Sequence, residues 1–178
     1  MNSANIKWIP WYRYKLMFYS LCLIGSLLSN SAYAHNTQQA SFNVVLNGTE
    51  SYIDLYLSQY GVEQALKASQ PSSDSNDTDS TAFKQRLIKH IKDNTRLFVN
   101  GSIITYGMGM LKLGSHETRA RLKLNNVPEV ISQIEAKVTC FSNNTHQVNV
   151  LSITHNGTKK RYRLSDENKY EIAFSWAS

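Results

Sequence analysis

The sequence predicts a mainly β protein, an antiparallel β-sandwich with one packed α-helix, and three observations carry that prediction. Asn-Gly pairs at Asn47-Gly48, Asn100-Gly101 and Asn156-Gly157 are the strongest short-range hairpin signals, because a tight two-residue turn needs positive φ at its centre. The segments between them alternate. Ile53, Leu55 and Leu57 fall on one side of a strand and Tyr52, Asp54 and Tyr56 on the other, and Ala120, Leu122 and Leu124 alternate with Arg119, Arg121 and Lys123, the period of a strand buried on one face. Only "TAFKQRLIKHIKDN" carries a convincing helical period, with Phe83, Leu87, Ile88 and Ile91 in one stripe.

In chain order, the first segment is a targeting signal rather than part of the fold. Lys7, Arg13 and Lys15 precede an apolar run from Leu16 to Leu28, and small residues, Ala32 and Ala34, stand three and one before His35. A basic start, a short apolar core and an Ala-x-Ala end make a secretory signal peptide over residues 1–34, cut between Ala34 and His35. The run of 13 residues falls short of the roughly 20 that span a bilayer. No stable membrane span is therefore expected after cleavage, despite the interfacial character of Trp8, Trp11 and Tyr12. The remaining 144 residues suit one domain, 35–178. Only Cys140 remains among them, so no internal disulfide is available, and its apolar setting "AKVTCFS" reads as a buried, inert thiol.

"SFNVVL" and "ESYIDLYLSQ" form the first hairpin, and "GVEQALKA" adds a short helical turn. The run Ser69 to Thr81 is built of Ser, Asp, Asn and Thr and reads as a disordered loop at about 69–81, since it has almost nothing to bury. Its aspartates, Asp74, Asp77 and Asp79, lack the spacing of a calcium loop. After the helix come "TRLFVNGSIITYGMGMLKL", "TRARLKLNN", "ISQIEAKVTCF", "HQVNVLSIT", "KRYRLS" and "KYEIAFSW", strand after strand with turns between. Met108 and Met110, two apart, read as core filler. "KKRYR", Lys159 to Arg163, reads as an edge strand whose charges discourage aggregation.

Charge excludes one class of partner. Removing the signal leaves 16 Lys and Arg against 13 Asp and Glu, a surplus too small to predict nucleic-acid binding. No nucleophile elbow, phosphate loop, His-Glu zinc motif or Cys-x-x-Cys occurs, and an enzyme is not expected. The one sharp chemical motif is conditional on the cut, which would give His35 a free α-amine beside its imidazole. Those two nitrogens can chelate copper if a second imidazole joins them, and His116, in the turn "LGSHET", is the sterically free choice. His90 reads as a solvated helix residue. His146 and His155 differ by an odd number and would face opposite sides of an unbroken strand. Asn-x-Thr sequons stand at Asn47, Asn76, Asn143 and Asn156.

The signal ending in "AH", the early hairpin leading into "VEQAL", the helix "FKQRLIKHI" followed by "LFVNG", and above all "FSNNTHQVNVLSITHNGTKKRYRLS" resemble a family of small exported proteins catalogued as domain of unknown function 6702. The resemblance implies a periplasmic location and no settled activity, and the serine-rich insertion departs from the compact form expected of it. The sequence thus leads to an exported, periplasmic or extracellular, non-enzymatic binding or envelope-associated protein. Its expected partners are a cell-envelope protein or glycan, met through exposed Tyr52, Tyr56, Tyr162 and Tyr170 and the "KKRYR" strip. The alternative is a copper or other metal-binding protein using an N-terminal His35 after signal cleavage.

Overall fold

The computed structural model describes residues 38–68 and 80–176. The expected signal peptide, its cut at Ala34 and His35, and residues 69–79 of the expected loop lie outside them.

Among the described residues, ten strands form two sheets. In chain order they are β1 (Gln39–Leu46), β2 (Tyr52–Ser58), β3 (Thr95–Val99), β4 (Ser102–Ile103), β5 (Thr105–Lys112), β6 (Glu117–Asn125), β7 (Gln133–Val138), β8 (Val148–His155), β9 (Thr158–Leu164) and β10 (Glu171–Ser175). The larger sheet has the order β5-β6-β2-β1-β8-β9 and the smaller β10-β7-β3-β4. Phe42, Leu55, Leu122 and Leu151 from the large sheet and Leu97, Val99 and Ile134 from the small one share a single buried core, which is what makes the two sheets a sandwich.

The turn chemistry closes the hairpins as expected. Asn100 and Gly101 take φ of 52° and 77°, and Asn156 and Gly157 take 48° and 74°, the left-handed pairs that match the twist of the flanking strands. The loop between β1 and β2 is longer, with a 3-10 turn over Gly48–Glu50 held by Ser51, whose Oγ accepts from Asn47 N and donates to Gly48 O, both at 2.7 Å.

Three features differ from expectation. The β1–β8 pair is parallel, Gln39 opposite Val148 through Leu46 opposite His155, so the described sandwich is antiparallel in every pair but one. The helices number two among the described residues: "GVEQALKA" belongs to a full helix, α1 (Gln59–Ala68), because Val62, Ala65 and Leu66 are buried at helical spacing. The expected helix, α2 (Ser80–Asn94), begins inside the polar run and buries Leu87 and Ile91. Finally β7 stops at Val138, and turns carry the chain through Cys140 and Phe141 to β8. Cys140 is still buried as expected; its Sγ lies 3.2 Å from Thr95 Oγ1, and burial pushes the thiol up to about 12. It stays protonated and inert.

Candidate functional site

The inner face of the large sheet is mostly apolar, with Thr118, Asn149 and His155 as buried polar side chains, so the groups able to meet a partner lie on its outer face. Parity decides which side chains stand there. On β6, Ala120, Leu122 and Leu124 point inward and leave Glu117, Arg119, Arg121 and Lys123 outside. On β9, Leu164 points inward, Tyr162 packs against the core, and Lys159, Arg161 and Arg163 stand outside.

Register then aligns these residues across the sheet. Arg121 lies opposite Asp54, Asp54 opposite Asn43, Asn43 opposite Ser152 and Ser152 opposite Arg161. The next row runs Arg119, Tyr56, Ser41, Val150, Arg163, and the row on the other side Lys123, Tyr52, Val45, Thr154, Lys159. Each row thus has a cation at both ends. The two columns are four strand spacings apart, about 19 Å, with rows about 7 Å apart along the strands. Lys112 on β5, opposite Arg119, extends the first column outward. Seven of the 16 Lys and Arg after residue 34 stand on this face; its acids are Asp54 and Glu117, with Glu50 lining the same hollow as Arg121 and Lys123 and Glu167 beside Arg163. Cations thus outnumber acids seven to four on this face.

The β6 column is braced. Arg121 donates from Nε and Nη2 to the two oxygens of Asp54, both at 2.6 Å, and its guanidinium lies 4.3 Å from the Tyr52 ring centre. Hydrogen bonding to Asp54 pushes the Arg121 pKa up. Arg119 donates to Glu117 at 2.6 Å and lies 5.4 Å from the Tyr56 ring centre. The stacked aromatics hold the cations in place without neutralising them. The β9 column is looser: Arg163 pairs with Glu167 at 3.7 Å, both well exposed.

Two shallow recesses adjoin across Met110 and Arg121, of about 680 and 640 Å³. Both methionines expected in the core stand here instead, Met108 92% and Met110 72% exposed. A register shift between Tyr106 and Gly109 is the cause. Tyr106 and Leu111 both turn inward against the core although five residues apart, and the extra residue of the bulge between them puts Met108 and Met110 together on the outer side. The bulge is fixed from behind by Lys92, whose Nζ donates to the carbonyls of Tyr106 and Gly107 at 3.4 and 3.2 Å. Gly109 is required, since a Cβ there would come 2.4 Å from the carbonyl oxygen of Arg121 and 2.3 Å from Leu122 Cδ2.

The histidines and tyrosines that the sequence singles out disperse. His116 is exposed before β6, its backbone carbonyl accepting from Gln59 N at 3.1 Å; His35 lies outside the described residues. Among the described residues no three His, Cys, Asp or Glu converge on a metal-sized site. His90 is half-buried rather than solvated, stacked 5.2 Å from Phe141, and burial lowers its pKa. His146 sits in a turn with φ of 60° rather than at a strand end, so strand parity does not govern it. His155 is buried, its Nδ1 3.0 Å from Leu46 O. Of the four tyrosines expected on an exposed face only Tyr52 and Tyr56 stand there. Tyr162 stacks on Phe174 against the core, and Tyr170 is buried with its hydroxyl donating to Gln147 O at 3.1 Å. No family model and no curated protein matches this chain.

Proposed function

We propose that this chain is an exported, envelope-associated binding protein without enzymatic activity, and that the outer face of its large sheet holds an anionic partner. The 13-residue apolar run ending in Ala-x-Ala supports export, and the resemblance to domain of unknown function 6702 agrees with a periplasmic address. The register-aligned pair of cation columns carries the binding reading. Like charges gathered on one face repel each other and destabilise the fold slightly, and a negatively charged partner offsets that cost. The recesses are open and bring no nucleophile and base together, which favours recognition over turnover.

Binding of a soluble sulfated polymer, followed at low and high salt, tests the face. Arg161→Gln with Arg163→Gln removes two exposed charges and is expected to weaken low-salt binding about tenfold with the fold unchanged. Unchanged affinity refutes this reading of the face. Intact-mass measurement on protein from an envelope fraction tests export separately, with an N-terminus at His35 expected and one at Met1 against it.

A further inference from the structure

The exposed methionines and the breadth of the cationic face define the partner more narrowly. We infer, on the strength of the binding role just proposed, that the anionic partner is a lipid bilayer surface, with Met108 and Met110 entering its outer layer while the cation columns engage the headgroups.

One extended acidic polymer can follow a single column of cations, but three rows with a cation at each end cover an area about 19 Å wide. A sheet of negative headgroups engages both columns together. The apolar groups stand on the same face as the cations. Met108 and Met110 share a recess with Arg121 and Lys123, so thioethers and cations leave the protein in the same direction. An anionic bilayer stabilises both kinds of group, whereas a soluble acidic polymer leaves the thioethers in water. The same cations oppose a metal ion between the two sulfurs. The bulge, the Lys92 brace and the close approach at Gly109 fix the backbone that bears the methionines. Little ordering is then left to cost free energy on docking.

The test reads the methionines in place on the full chain. Dilute hydrogen peroxide converts exposed thioethers to sulfoxides, and peptide masses report the rate at Met108 and Met110 separately. Vesicles of phosphatidylcholine alone serve as the reference, because they present a bilayer without net negative charge. Vesicles containing phosphatidylglycerol are expected to slow sulfoxide formation at both positions severalfold against that reference, and high salt or the Arg161→Gln/Arg163→Gln chain to remove the protection. Met108→Gln with Met110→Gln is expected to weaken partition to the anionic vesicles about tenfold and to leave sulfated-polymer binding unchanged. Equal oxidation in the two kinds of vesicle, with polymer binding intact, overturns the bilayer and leaves the anion-binding face standing. Loss of polymer binding as well brings down both. Protection by the soluble polymer equal to that by anionic vesicles also refutes insertion.

Discussion

The two faces of the large sheet are made by the same strands and obey opposite rules. On the inner face the side chains are apolar and interchangeable in kind: Phe42, Leu55, Leu122 and Leu151 contribute by filling volume, and their partners come from the other sheet and the helices. On the outer face polar and charged side chains predominate, with a cation at each end of a row. Substitution inside is therefore expected to act on stability, and substitution outside on the binding proposed for that face. The faces meet at Gly109, where the backbone of an edge strand approaches its neighbour too closely for any side chain.

That division can be broken from the inside first. Phe42→Ala leaves a cavity at the centre of the core and is expected to lower unfolding free energy by about 3–5 kcal/mol in urea melts, with polymer affinity per folded molecule unchanged; a specific loss of affinity would show that the faces are coupled. Gly109→Ala is next, at about 1–3 kcal/mol, and should also disturb the outer face, since β5 must lift from β6. Peroxide reactivity of Met108 and Met110 would report the shift, and an unaltered oxidation pattern with full stability would refute the close-approach account. A smaller effect is expected of His90. Burial lowers its folded-state pKa from the ordinary 6.5, so the unfolded chain binds its proton more readily and stability is lost as pH falls through that value and below. Thermal melts at pH values on either side of 6.5 should show a drop that His90→Gln diminishes. Smallest is Asp54→Asn, which breaks the exposed pair with Arg121 and should cost less than about 1 kcal/mol. It also frees a cation, and polyanion binding should tighten slightly.

The inner face was more legible in the sequence than the outer one, for a physical reason. Alternation in "YIDLYLS" and "TRARLKL" says directly which residues are buried, since apolar side chains leave water wherever the fold allows. The same alternation shows that Arg119, Arg121 and Lys123 share a face, as do Lys159, Arg161 and Arg163, but not that the two sets share one. That requires the β1–β8 pairing, a contact between segments 109 residues apart with no local signature. "YGMGML" shows the limit from another side. Spacing places Met108 and Met110 together without saying on which side, and the bulge that decides it depends on Lys92 of a distant helix. In "GVEQALKA" the periodicity of Val62, Ala65 and Leu66 was visible, but Gly61 and the polar run after it made the segment look shorter than the helix it forms.

The parallel pairing of β1 with β8 also sets when the fold can close. β1 lies inside the large sheet between β2 and β8, so the first hairpin remains an unfinished edge until residues 148–155 have been synthesised. Contacts of such long sequence separation form slowly, on the order of milliseconds to seconds even in a complete chain. For most of its synthesis the polypeptide therefore has an incomplete large sheet, with β1 unpaired along one edge until its last strands arrive. A version with β8 moved ahead of β1 by circular permutation would lose that delay.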